Sequence, residues 1–138
     1  MLMRRDELVA LVESGTLIPG PAWPRSVKEH HERVRAIPCV ITHYRFNTLH
    51  HCHGGSMIDL GWDSGGAGRK QSDALVIPLK AELHCAGLDG IDSGMGVDTW
   101  ESWYGPQSGH LAAIGASLGY SLFELAAWWS VHSPKRGR

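Results

Sequence analysis

Residues 49–55 read Leu-His-His-Cys-His-Gly-Gly, three imidazoles and a thiol in four consecutive positions closed by a glycine pair. Imidazole and thiolate are good donors for zinc and other borderline divalent ions. A neutral imidazole is also the side chain best suited to take a proton from water near neutral pH. The segment can therefore be a metal cluster, a base, both at once, or a polar turn whose histidines are satisfied by hydrogen bonds. In an extended strand the side chains alternate between faces. His51 and His53 then share one face, and His50 and Cys52 the other. All three histidines can serve one ion only where the backbone curls, and Gly54-Gly55 permits a curl at the strand end.

Several elements must position this cluster. Residues 54–73 hold six glycines and no apolar periodicity, so they read as a long loop ending in Asp73. Residues 74–79, ALVIPL, form a short apolar run expected to be a buried strand. Residues 80–87, KAELHCAG, open a helix that carries His84. Strand, strand and helix with a histidine from each side can hold one divalent ion between the first strand and the helix.

The flanks are mostly helical. Residues 6–13 carry Leu8, Leu11 and Val12 on one face and stop at Gly15. Three prolines in residues 17–26 make an extended connector. A second helix follows with Ser26 as N-cap and Pro38 as its stop, and its His30 and His31 read as polar surface residues. Residues 39–46, CVITHYRF, are β-branched and aromatic and give a strand signal. Residues 97–132 are helical, with Ser121 and Glu124 in a capping box. Trp100, Trp103, Leu111, Ile114, Leu118, Trp128 and Trp129 build either the core or a subunit contact. The fold class is α+β.

A chain of 138 residues with 43% hydrophobic and 20% charged residues fits one globular domain. No apolar run approaches the ~20 residues of a membrane span. Asp6, Glu7 and Glu13 in the first amphipathic stretch argue against a secretory signal. Three cysteines are an odd number and too few for a disulfide scaffold, which points to a reducing cytoplasm. The net charge of −1 does not mark a binder of polyanions, whereas nine histidines exceed what a chain of this length needs.

Taken in order, HHCHGG (50–55), GRKQSD (68–73), VIPLKAELHCAG (76–87) and GIDSGMGVDTWESWYG (90–105) resemble the HNH nucleases of the phage recombination-enhancement type, whose best-known member depends on the host RecA filament. The resemblance runs from about Arg33 to Gly105, roughly half of the chain. It implies a single domain, 1–138, with a small ββα-metal core at 37–96. N-terminal helices and a Pro-rich connector (1–36), C-terminal helices (97–132) and a basic tail (133–138) flank that core. It also implies a metal-dependent DNA endonuclease of phage or prophage origin, acting in the cytoplasm of a bacterial host. A RecA-like recombinase filament is the partner this family suggests, and the C-terminal helices offer a surface for a homodimer.

Residue by residue, the resemblance gives His50 and His84 as ligands of a divalent ion (Mg, Mn or Zn), His51 as the general base and Asp73 as the group that orients the motif. A base of this kind must be neutral, so activity should fall on acidification. His53 is either a further ligand or a phosphate contact. Asp92 either substitutes for a histidine that relatives place where Gly94 stands, or caps its own turn. Arg69 and Lys70 on the glycine-rich loop suit a DNA backbone. The chain departs from the family's structural zinc site: Thr42, Lys80 and Leu83 stand where ligands are expected, which leaves Cys39 as a buried apolar residue. Two other readings stay open, a non-catalytic metal-stabilised module that binds nucleic acid or assembles, and a hydrolase of small phosphodiesters.

Overall fold

Two short strands pair at the centre of the molecule, and helices from both ends of the chain close over them. The computed structural model describes residues 2–63 and 71–134. Among the described residues there are seven helices and one two-stranded antiparallel sheet. In chain order these are α1 (Arg5–Glu13), α2 (Val27–Arg35), β1 (Thr48–His51), α3 (Gly55–Asp59), β2 (Val76–Leu79), α4 (Ala81–His84), α5 (Val97–Tyr104), α6 (Gln107–Leu118) and α7 (Leu122–Val131). The α+β expectation therefore holds, and β1, β2 and α4 fall where the histidine spacing asks for two strands and a helix.

The register sets the site. Thr48 pairs with Leu79, Leu49 with Pro78, His50 with Ile77 and His51 with Val76. All four β2 residues are buried, as an apolar run with no alternation requires. Cys52 continues the ladder by donating its N–H to Leu75 O at 2.9 Å, and its side chain is buried. Helix α2 packs on both strands, and α1 lies against α7. Ser26 caps α2 by accepting the Glu29 N–H at 3.1 Å, and Ser121 caps α7 by accepting that of Glu124 at 3.2 Å.

The structure corrects three sequence-based expectations. Residues 39–46 are a turn, not a strand. Cys39 donates its N–H to Tyr44 O and His43 donates to Cys39 O, both at 2.9 Å, with His43 at φ 61°. These backbone groups are satisfied within the segment, and Val40 reaches the sheet by one bond, its N–H to Pro78 O of β2 at 3.2 Å, so the β propensity finds no ladder to extend. Residues 54–73 are not a loop throughout, because α3 forms inside them. Its start is held by Glu101, which accepts the Ser56 N–H at 3.0 Å, and Met57 anchors it in the core. His30 is not a surface residue but is fully buried. Of the residues expected in the core or in a subunit contact, Trp100 is fully buried and Trp103 is 73% exposed.

No single helix among the described residues is long and apolar enough to cross a membrane. The apolar pair α6 and α7 meets at 95° and buries Leu111, Ile114, Leu122 and Leu125. Cys39 is buried as expected, and its thiol accepts the Thr42 N–H at 3.5 Å. Burial alone would raise this thiol, but hydrogen bonds from Thr42, Lys80 and Ile41 hold it below the ordinary cysteine range.

Candidate metal centre and base

Asp92 is the point at which the histidines meet. It sits in the turn after α4, positioned by its N–H, which donates to His84 O at 2.8 Å. The turn is tight enough that a Cβ on Gly94 would lie 2.4 Å from Leu88 Cα. The Asp92 carboxylate faces three imidazoles. His50 Nδ1 lies 3.1 Å from Oδ2, His84 Nε2 lies 3.0 Å from Oδ2, and His53 Nε2 lies 2.6 Å from Oδ1. Donor atoms of His50, His53 and Asp92 all fall within 4.8 Å of one another. The four metal candidates of the sequence are thus brought together.

Strand geometry alone separates His50 from His53, and the structure shows how the chain reunites them. The strand ends at His51, and Gln107 at the start of α6 grips the peptide of His53. Its Nε2 donates to His53 O at 2.7 Å, and its Oε1 accepts the His53 N–H at 3.2 Å. The curl continues at Gly54, whose φ of 66° favours glycine, and whose N–H donates to Asp63 Oδ2 at 2.6 Å. Gln107 is itself held by Glu101, which accepts from its backbone N–H at 2.8 Å and from its Nε2 at 3.1 Å.

The electrostatics follow from these contacts. Burial alone would raise the Asp92 carboxyl, but hydrogen bonds from His50, His53 and His84 reverse this and hold it far below the usual carboxylate range. The hydrogen bond to Asp92 lifts His53 above the ordinary imidazole value, against the opposing effect of burial. Glu101 is likewise drawn low: burial would raise it, and hydrogen bonds from Ser56 and Gln107 outweigh that effect. Cys52 is buried and its thiol is pushed well up by that burial, with Glu101 and Asp92 adding to the effect. A thiol held protonated in this way makes a poor metal ligand. Cys85 is exposed.

His51 belongs to a second group. Its Nε2 lies 2.9 Å from Asp73 Oδ1, and its side chain is 40% exposed. Behind Asp73, His31 donates from Nε2 to the Asp73 carbonyl at 2.8 Å. Its neighbour His30 bonds Ala74 O and the Tyr120 hydroxyl, both at 2.9 Å. The loop end that carries Asp73 is therefore clamped by two histidines of α2. Burial lowers His31, with the Asp73 contact opposing it. His31, His51 and Asp73 also offer donor atoms within 4.8 Å of one another.

Asp73 touches His51. Arg69 and Lys70 lie outside the described residues. Sequence reasoning missed His30, His31, Gln107 and Glu101. The two histidines carried a signal in their adjacency on one helix, whereas nothing in GPQSG marks Gln107 as part of a histidine site. The chain matches no protein-family model, no curated protein and no solved structure.

Proposed function

We propose that this chain is a metal-dependent DNA endonuclease of the HNH type, with β1, β2 and α4 as its ββα-metal core. The observation that carries the reading is the convergence of His50, His53 and His84 on the Asp92 carboxylate, with His51 held apart on Asp73. Three imidazole nitrogens and a carboxylate converging at one point are a donor set suited to a divalent cation.

The residues that would hold the ion are His50, His53, His84 and Asp92. A divalent cation bound there supplies charge neutralisation for a phosphodiester and its departing oxygen. His51 acts on water. With Nε2–H donated to Asp73, its Nδ1 carries the free lone pair and takes a proton from the water molecule. The water oxygen bonds to phosphorus as the bond from phosphorus to the leaving 3′ oxygen breaks. A base so positioned contributes roughly 10²–10⁴-fold. At a net charge of −1, the chain would rely on a partner to reach DNA. A RecA-like recombinase filament, or a second copy joined through the C-terminal helices, would serve.

Plasmid nicking with Mg²⁺, Mn²⁺ or Zn²⁺ tests the reading. Wild-type protein should nick, and His51→Ala and His84→Ala should each abolish most of the activity. The second reading is a metal-stabilised module without catalysis, and the donor atoms that His31, His51 and Asp73 share within 4.8 Å favour it, because they would make His51 a ligand. That reading takes over if no metal supports cleavage of single-stranded, duplex or recombinase-coated DNA.

A further inference from the structure

A histidine can offer a metal only one nitrogen, and the partner of the other nitrogen decides which. For His50 that partner is Gln107, whose Oε1 lies 2.8 Å from His50 Nε2. An amide can ordinarily be turned end for end, which would make its NH₂ the group facing the ring. Here it cannot. The same side chain is gripped by the peptide of His53, whose carbonyl can only accept and whose N–H can only donate. Glu101, a carboxylate, demands a proton from Gln107 Nε2 as well. The group facing His50 is therefore an oxygen with no proton to give, and His50 must carry its hydrogen on Nε2. When a cation takes the place of the proton that His50 shares with Asp92, the lone pair the ring offers is therefore the one on Nδ1, 3.1 Å from the carboxylate.

His84 is arranged with its nitrogens exchanged. The Thr48 hydroxyl donates its one proton to Leu79 O at 3.0 Å, so it can only accept from His84 Nδ1, 2.6 Å away. On the same exchange of proton for cation, the lone pair that this ring offers is on Nε2, the nitrogen facing Asp92. Register explains the pairing. Thr48 lies opposite Leu79, one residue before the turn into α4, so its hydroxyl reaches both the strand carbonyl and the first helical histidine.

We propose that Gln107 and Thr48 are positioning residues that preset a mixed-nitrogen metal centre, with His50 offering Nδ1 and His84 offering Nε2. This rests on the metal-centre reading above and assigns two residues beyond it. Glu101 is part of the device, because it holds Gln107 in the one orientation that works, while Ser56 bonds Glu101 from α3 at 2.6 Å. Outer partners of metal-bound histidines typically change metal affinity by roughly 10–100-fold when removed.

The test is nitrogen-resolved NMR of the Zn²⁺-loaded protein with ¹⁵N-labelled histidine. The expected result is His50 metallated at Nδ1 and protonated at Nε2, and His84 the reverse. Zinc bound through Nε2 of both rings overturns this inference and leaves the metal centre standing. Failure of the wild type to take up Zn²⁺ overturns the metal centre, and the inference with it. Affinity gives a second readout, by competition against a chromophoric chelator. Gln107→Leu and Thr48→Val should each weaken Zn²⁺ binding by roughly 10–100-fold, while Thr48→Ser keeps the hydroxyl and wild-type affinity. Equal affinity in Thr48→Val and wild type removes Thr48 from the proposal. The NMR measurement on wild type stands even if Gln107→Leu does not fold.

Discussion

His53 Nε2 and Asp92 Oδ1 lie 2.6 Å apart, the shortest of the three imidazole contacts this carboxylate receives. The contact raises His53 above its ordinary value. A raised histidine stabilises the fold fully below its unfolded value of about 6.5, and that contribution is lost as pH rises through the folded value. The depressed Asp92 carboxyl contributes above about pH 3.9 and loses its contribution on strong acidification. In metal-free protein, Asp92→Asn should therefore cost most stability between about pH 4 and 6.5, with the gap to wild type narrowing toward alkaline pH. NMR titration should show the His53 midpoint falling in the variant. An unchanged midpoint would show that Asp92 does not set the charge of His53.

His51 and Asp73 should behave as one unit. His51→Ala is expected to lower nicking by roughly 10²–10⁴-fold, with Zn²⁺ affinity at the Asp92 centre unchanged. Asp73→Ala leaves the imidazole in place but lets it swing, a misplacement that costs roughly 10²-fold. The double variant should be no slower than His51→Ala alone, because orienting a base that is absent contributes nothing. Rates measured for the four proteins decide this. Multiplying losses in the double variant would give Asp73 a task of its own.

Local signals reported the parts of the fold that are local. Ser26 and Ser121 announce helix starts, and each does cap its helix. The run VIPL is buried throughout because both its faces are covered. The strand signal of residues 39–46 misled because propensity cannot know whether a ladder can form: Cys39, His43 and Tyr44 bond one another, and Val40 reaches the sheet by one bond to Pro78 O. His50 and His84 were nameable from the order of elements along the chain, whereas His53 and Asp92 were candidates with an alternative role each, Asp92 only through the resemblance to a nuclease family. Their support was not legible. Gln107 reaches His50 across 57 positions, and His30 reaches Tyr120 across 90. Contacts of that range follow from how helices pack, and no spacing rule encodes them.

His30 should make the fold acid-sensitive. Burial pushes this imidazole down to about 4, with the Ala74 carbonyl opposing the effect. A histidine whose folded value is depressed is neutral in the native state, so the unfolded chain binds the extra proton. Its penalty is absent above the unfolded value of about 6.5 and grows as pH falls toward 4. Over that window the loss approaches about 3 kcal/mol. Denaturant melts of wild type and His30→Gln should show wild type ahead at pH 7 and the gap closing toward pH 4. A gap that stays constant would mean that burial does not depress His30 in the fold.

The turn that carries Asp92 is closed too tightly at Gly94 to admit a side chain. A Cβ at Gly94 would fall 2.4 Å from Leu88 Cα and 2.6 Å from its carbonyl oxygen, and both are backbone atoms that cannot rotate away. The Gly94 N–H also donates to Gly87 O at 3.1 Å, so the two sides of the turn are tied at this point. Any side chain there must push the turn open. Overpacking of this kind costs roughly 1–3 kcal/mol, and the displaced segment includes Asp92. Gly94→Ala should therefore lower the melting temperature and weaken Zn²⁺ binding together. Gly109→Ala is the control, since its Cβ meets only Pro106 Cγ at 3.5 Å within α6. There the change should stabilise by roughly 0.5–1 kcal/mol through helix propensity, with metal affinity intact. If Gly94→Ala kept full Zn²⁺ affinity, the turn would not be what holds Asp92 among the three histidines.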